Sequence, residues 1–504
     1  MAILVTDVGT SAVKSFLYDT PTGAIIATEE IETPTYAPEH GAYESKAEYW
    51  TQGLIATARR LINRFPEQPV EALALTNQQI SCVMLDEENQ PVHNAILWAD
   101  SRSSEILTIE REKLNLGEDF ESWFTSRVGL PYSDRWGVAK ALWLRHSQPK
   151  EFARVRRISS VDAYLAQALT GEFVSDISNA TFFSQDIKSG QFSTEVLSQF
   201  GFDESFFPRT VPSGSVVGEL TTASTKQLGL TAPVPVVISG SDQPCSMIGA
   251  GGGRAGDVVI NLGSGSFAMA SMTDPITDRR IMTNFSIVDG HWVAMGTHYL
   301  TGTAFRWLRD ILGWKHEISY EDLDAAASGI PAGSDGLIFV PSLTGSGTPD
   351  WRADAKGVMA GLSIEHSPGH LARAVMESTG YGLRLILETF ESLGIPVDRV
   401  FLSGGATVSS SWSQTITDIL GREVHLPASR QATARGAFLL ALVGIGLQPS
   451  VAHAVAAYSG SDSLLSPDAA SVDVYRRRFD DYLYWKNAEN TFRSTIERKS
   501  THAD

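Results

Sequence analysis

ILVTDVGTSAVKSFLYD, residues 3 to 19, runs an apolar strand into an acid-and-glycine turn and out again into a second strand. DVVINLGSGSFAMA, residues 257 to 270, repeats that order half a chain later, with Gly263 and Ser264 where the first copy has Gly9 and Thr10. Glycine lets backbone N–H groups converge on an anion, and the hydroxyls of Thr10, Ser11, Ser264 and Ser266 add donors suited to phosphate oxygens. A glycine turn after one strand is often steric in origin. Two copies at corresponding places in two halves point to a polyphosphate held between paired loops.

A chain of 504 residues exceeds the size at which a single core stops growing, so at least two domains are expected. The stretch ISGSDQPCSMIGAGGGRAG, residues 238 to 256, is crowded with small residues and marks the junction, which gives domains of 1–246 and 247–504. Its GAGGGRAG string follows no clear strand and reads as a hinge rather than a dinucleotide loop. With 43% hydrophobic and 19% charged residues the composition is that of a globular protein, and no apolar run is long enough to cross a bilayer. The acidic MAILVTDVGTS start carries no export signal, and two cysteines, Cys82 and Cys245, give no disulfide framework, so a cytoplasmic protein is expected. A net charge of −18 argues against nucleic acid as a partner. The 11 histidines show no metal-ligand spacing, and the oligomeric state stays open, a homodimer included.

Apolar spacing predicts a helix over 46–64, with Ala47, Trp50, Leu54 and Ala58 on one face, and further helices over 369–393 and 410–420. AIIATEEIET after the TPTG turn is a strand, and FSIVDGHWVAM, 285 to 295, is two strands about Asp289-Gly290. Helical aromatic spacing makes 472–499 a packing helix. Strands and helices in both halves give the α/β class.

Asp7, at the end of its strand, is suited to holding Mg²⁺ through water, or simply to capping its own turn. Asp242 follows the strand VPVVI at the junction, where a carboxylate would accept a hydroxyl proton in phosphoryl transfer, or again form a turn.

The chain resembles the FGGY carbohydrate kinases, within the wider actin, hexokinase and Hsp70 ATPase group, over nearly its whole length. DVGTSAVKSFLYD resembles the family's first phosphate loop, and GAYESKAEYW, LTNQQISCVMLD and LWADSR resemble its Gly-aromatic segment, substrate loop and Trp-x-Asp-x-Arg element. More specific are Lys140 and Trp143 in YSDRWGVAKALWLRH and Gly361, His370, Ala374 and Glu377 in GVMAGLSIEHSPGHLARAVMES. LSGGATVSSSWSQTITDILGREV resembles the adenosine turn and its helix.

That resemblance implies two ribonuclease H-like domains with a central cleft, and ATP-dependent phosphorylation of a sugar or polyol hydroxyl. Carried over residue by residue, Asp242 is the general base and Asp7 assists the Mg²⁺ nucleotide. Gly9, Thr10 and Ser11 cradle the terminal phosphates from one side and Gly263 and Ser264 from the other. Lys14 lies near phosphate or is a solvated lysine, and Gly404, Gly405 and Ala406 leave room for adenosine.

The substrate loop reads Asn77-Gln78-Gln79-Ile80-Ser81, with neither the histidine usual in xylulose kinases nor the Arg-Glu pair of glycerol kinases. Gln78, Gln79 and Gln243 offer amides suited to hydroxyls. Asp100 and Arg102 join them as candidate acceptor ligands, with a structural ion pair as the alternative for Arg102. The overall pattern leans toward a ketopentose, D-xylulose first. Glycerol, another polyol or gluconate is the alternative, and an acceptor-independent ATPase is the alternative from another class.

Overall fold

The structure is a computed structural model that describes residues 1–114, 119–312, 318–352, 354–458, 460 and 462–500, with side chains through 491. The chain forms two units, one of Met1–Gly253, Ser271–Val293 and Gln431–Ser459, the other of Arg254–Ala270, Ala294–Arg430 and Gly460–Asp504.

In the first unit, six strands lie in the order Ser215–Glu219, Pro235–Ser241, Val70–Asn77, Ala2–Val8, Ala12–Asp19, Ile25–Glu32. The strand Val70–Asn77 runs parallel to both of its neighbours. The remaining pairs are antiparallel. Side chains alternate across the sheet with period two. Ala2, Leu4 and Val8 join Leu17, Leu73, Leu75 and Ile238 in one core, covered by Trp50, Leu54, Ala58 and Leu61 of the helix Glu48–Arg64. Ile3, Val5, Phe16, Tyr18, Ala72 and Ala74 face the other core, against Ala437, Phe438 and Ala441 of the helix Ala432–Gly444. A strand covered on both faces reads as a nearly unbroken apolar run, which is why residues 3 to 8 stand out in the sequence. Each fully buried large side chain of this kind contributes about 1.5–3 kcal/mol.

Three parallel strands therefore end side by side, with Val8 and Ser241 both in register with Asn77. Gly9, Gln78 and Asp242 are the next residues along each. The crevice beyond the carboxyl ends of parallel strands is where α/β folds place ligands.

The second unit repeats the plan. Asp257–Leu262 pairs antiparallel with Ser266–Met272 across the Gly263 turn and parallel with Arg399–Ser403, which leads into Gly404. Val424–Leu426 and Ser463–Leu465 extend this sheet. Asn261 holds the position of Asp7, two residues before the turn glycine. The helix Pro368–Ser392 starts at a capping box in which Ser367 and His370 satisfy each other's backbone, with proline at its first turn. The final helix, Ala469–Ser500, packs Tyr475, Phe479 and Tyr482 on Tyr381, Ile338 and Ile419.

The helices expected over 46–64, 369–393 and 410–420 are Glu48–Arg64, Pro368–Ser392 and Ser410–Leu420. Around Asp289-Gly290 the strands are Met282–Phe285 and Trp292–His298, so the first lies earlier than the sequence suggests and shares only Phe285 with the expected stretch. The residues between them close on themselves, Ser286 N–H donating to His291 O at 3.0 Å. The sequence boundary between 246 and 247 falls inside the helix Asp242–Gly249, and Ser271–Val293 and Gln431–Ser459 return to the first unit. The reason is close helix packing. A Cβ on Gly249 would lie 1.8 Å from Ala432 O, and one on Gly436 would lie 1.9 Å from Cys245 O. The small residues there let two helices touch backbone to backbone.

Candidate active site

Asp242 is the first residue of its helix, capped by the extended Ser241, so its carboxylate sits at the positive end of the helix dipole. Its Oδ1 accepts the Gln243 N–H at 2.9 Å, and its Oδ2 accepts Gln243 Nε2 at 3.3 Å. Burial pushes the Asp242 carboxyl up to about 6, against the backbone N–H groups of Gln243 and Gln79, which favour the charged form. At neutral pH it is a carboxylate with raised proton affinity, as a general base requires.

Asp7 lies on the strand Ala2–Val8, paired across the sheet with Lys14 and Thr76. Burial, and then the Asp242 charge, push its carboxyl up to about 7, while Lys14 pulls it back. Its buried Oδ1 has no hydrogen-bond partner among the described residues. A lone carboxylate with an unused oxygen beside a second carboxylate fits a hydrated Mg²⁺, which keeps most of its waters and takes few protein ligands. Among the described residues there is no cluster of three or more His, Cys, Asp or Glu side chains that would hold a metal without such waters. Lys14 also meets Glu30 at 3.3 Å.

The turn after Asp7 is closed by Gly9 N–H donating to Ala12 O at 3.0 Å. Thr10 is half-buried and Ser11 exposed. Gln78, which the sequence offers as an acceptor ligand, spends its amide inside the protein. Its Oε1 accepts from Thr10 Oγ1 and Ser81 Oγ, both at 3.0 Å, and its Nε2 donates to Gly9 O at 3.2 Å. Trp98 Nε1, a donor only, reaches Thr10 Oγ1 at 3.0 Å. Gln78 thus ties the Gly9 turn to the 77–81 loop, and the Trp98 indole, 38% exposed, lies against that tie. Trp98 heads the Trp-Ala-Asp-Ser-Arg element, and no local sequence pattern marks its indole as the partner of Thr10. Gln79 is buried and donates its Nε2 to Ser241 Oγ at 2.8 Å.

Asp100 and Arg102 meet each other. Arg102 Nη2 lies 2.7 Å from both Asp100 Oδ2 and Glu44 Oε1, its Nη1 lies 3.3 Å from Glu39 Oε1, and its guanidinium stacks 3.7 Å from the Trp143 ring centroid. Asp100 also accepts the Tyr43 N–H at 2.8 Å. This is a buried ion-pair cluster that fastens the 39–45 segment beside Trp98, the structural alternative raised from the sequence.

In the second unit, Gly263 and Ser264 are exposed at their turn, and Gly263 N–H donates to Gly265 O at 2.9 Å. The start of the helix Gly302–Ile311 leans on the same turn, Gly302 N–H donating to Gly263 O at 3.1 Å and Thr303 N–H to Ser264 O at 3.0 Å. Gly404 has φ +98°, and a Cβ on it would lie 2.5 Å from both Asn261 Oδ1 and Leu262 O. Glycine is required there by close passage over the neighbouring strand, a different reason from space for a base. Gly405 has open space on its Cβ side, and Ala406 is half-buried.

The signature residues of 357–378 are structural. Gly361 has φ +84° and no room for a Cβ beside Gly336 O. Glu377 accepts Gly333 N–H at 2.8 Å, Ser334 Oγ at 2.9 Å and Tyr475 Oη at 3.0 Å, with Arg373 at 3.2 Å.

Each unit carries a strand–glycine–strand turn, and the first adds a carboxylate of raised proton affinity at a strand end. The N-terminal domain model of the FGGY family of carbohydrate kinases matches residues 2–249, and the C-terminal domain model matches residues 258–445. The chain belongs to this family and is an ATP-dependent carbohydrate kinase. It is 28% identical to a gluconokinase of Bacillus subtilis (strain 168), with 93% of this chain and 92% of the relative covered. A glycerol kinase of Gloeobacter violaceus is 30% identical, with 90% of each covered. The crystal structure of xylulose kinase from Rhodospirillum rubrum superposes with a TM-score of 0.88 at 26% identity, covering 98% of this chain and 99% of that one. The fold is thus the two-domain α/β fold of the actin, hexokinase and Hsp70 ATPase group.

Proposed function

We propose that this kinase transfers the γ-phosphoryl group of ATP to a hydroxyl of a ketopentose, D-xylulose giving xylulose 5-phosphate. The observation that carries the reading is the Asp242 carboxylate, met at both oxygens by N–H groups of Gln243 and supported by the backbone N–H of Gln79, while the Arg102 guanidinium is committed to Asp100 and Glu44. Such a setting favours a neutral polyhydroxylated acceptor over a sugar acid. Asp242 takes the acceptor proton as that oxygen attacks the γ-phosphorus, the bond to the β-phosphate oxygen breaks, and ADP leaves.

In this reading Gly9, Thr10, Ser11 and Lys14 serve the terminal phosphates from the first unit. Gly263 and Ser264 serve them from the second, where Gly405 and Ala406 border the adenosine. Mg²⁺ would be held through Asp7 and, when bound with the nucleotide, would neutralise phosphate charge. Asp100 and Arg102 act as positioning residues, fixing the 39–45 segment beside Trp98.

A second reading, glycerol or another polyol, is favoured by Asn77-Gln78 and by Gln243 after the base. Purified enzyme assayed with D-xylulose, glycerol and gluconate separates the readings. ATP turnover that rises with D-xylulose supports the first, and a rise with glycerol or gluconate alone overturns it. Turnover that no acceptor raises would place the chain among ATPases that need none.

A further inference from the structure

Behind Asp242 lies a buried polar chain whose proton directions can be counted. Asp176 caps the short helix Ile177–Ala180 and accepts five hydrogen bonds. Oδ2 takes Ser178 N at 2.9 Å, Ser178 Oγ at 2.7 Å and Ser213 Oγ at 2.5 Å, and Oδ1 takes Asn179 N at 3.1 Å and Asn179 Nδ2 at 2.7 Å. All five partners donate, so both Asp176 oxygens serve as acceptors.

A hydroxyl has one proton, and that of Ser178 goes to Asp176. Ser178 Oγ must then accept from its other partners, Ser241 N at 2.9 Å and Ser241 Oγ at 2.9 Å. The Ser241 proton is spent in turn, so Ser241 Oγ accepts from Gln79, and the group it faces at 2.8 Å is the amide nitrogen. Asp176, Ser178, Ser241 and Gln79 are all buried. The same carboxylate aims Asn179 Nδ2, whose Oδ1 accepts from Asn77 Nδ2 at 3.0 Å, bracing the strand that leads into Gln79. Asp162, which accepts the Asp176 N–H at 2.8 Å, is pushed well above the usual carboxylate range by burial and by the Asp176 charge.

We propose that Asp176, through Ser178 and Ser241, fixes the Gln79 amide so that its carbonyl oxygen is left to the acceptor, and that the kinase selects a neutral hydroxyl donor there against a carboxylate. The inference rests on the kinase reading and names its substrate class. Gln79 Oε1 has no hydrogen-bond partner among the described residues, and the backbone N–H of Gln79 supports Asp242. The acceptor would therefore meet two hydrogen-bond acceptors side by side, each wanting an O–H. A sugar carboxylate offers neither donor and adds like charge.

The test is steady-state kinetics of the full chain and three variants with D-xylulose, glycerol and gluconate. Ser178→Ala frees the Ser241 proton and lets Gln79 turn over. The expected result is a rise of about tenfold in KM for the neutral acceptor, the worth of one misdirected hydrogen bond, with KM for ATP unchanged and recovery in Ser178→Thr. An unchanged acceptor KM, or an equal rise in KM for ATP, overturns the proposal. Gln79→Arg gives a readout that does not depend on the Ser178 variant folding, because arginine still donates to Ser241 but presents donors to the acceptor. It should shift the ratio of kcat/KM for gluconate to that for the neutral acceptor at least tenfold toward gluconate, and no shift counts against the proposal. Preference of the unaltered enzyme for gluconate sinks this inference and leaves the kinase standing. Absence of any acceptor-stimulated turnover removes both.

Discussion

At the scale of single residues, two acids divide the work by environment. Asp242 and Asp7 both have raised carboxyl values, about 6 and about 7, but Asp242 has amide partners at both oxygens and Asp7 has an oxygen with none among the described residues. For Asp242 the sign of the pH effect follows from the proposed role as base. A base works ionised, so kcat/KM should hold near pH 7 and fall about tenfold per pH unit below about 6, as measured by a pH–rate profile. Gln78 carries a different expectation. Gln78→Leu removes the acceptor of the Thr10 and Ser81 hydroxyl protons and the side-chain donor to Gly9 O, each loss costing about 1–3 kcal/mol where burial is complete. Both KM values should rise together in initial-rate kinetics, since the variant loosens phosphate turn and substrate loop at once. A rise in acceptor KM alone would make Gln78 a direct acceptor ligand.

At the scale of elements, the helix that presents Asp242 depends on the glycines that let it touch the helix Ala432–Gly444. Gly436→Ala forces its Cβ onto Cys245 O, and overpacking of this kind costs about 1–3 kcal/mol. Urea unfolding should show that loss, and kcat should fall with it because the base moves with its helix. A variant of normal stability would contradict the packing. In the second unit, burial holds the His298 imidazole down at about 4, so the folded chain resists a proton that the unfolded chain accepts near 6.5. Stability from this group is complete above about pH 6.5 and is lost as pH falls toward 4, which a series of Tm values across that window would reveal. His298→Gln should flatten the decline. The elements that carry this chemistry were largely legible in the sequence. The two strand–glycine–strand units, the helices with one apolar face and the aromatic spacing of the last helix all follow from period and turn chemistry. The Ser178–Ser241 link was not legible, because its partners stand 63 residues apart and serines carry no pattern.

At the scale of the whole molecule, the repeated plan of the two units explains why motifs point to the family, while the packing around single residues becomes visible only in the fold. Gly404 follows a strand that passes too close to Leu262 for any side chain, and Arg102 is an ion-pair anchor. Both facts depend on which strands lie side by side, which local sequence does not state. The domain division shows the same limit, since Ser271–Val293 and Gln431–Ser459 return to the first unit by packing that no composition shift marks. Relatives named gluconokinase and glycerol kinase align over most of this chain, so family membership leaves the acceptor open. The most direct measurement is therefore ATP-dependent phosphorylation of D-xylulose by the purified enzyme and by its Asp242→Asn variant. Acceptor-dependent turnover that falls about 10²–10⁴-fold in the variant, while ATP still binds, is the predicted result. Near-normal transfer by Asp242→Asn, or ATP turnover indifferent to any acceptor, would contradict it.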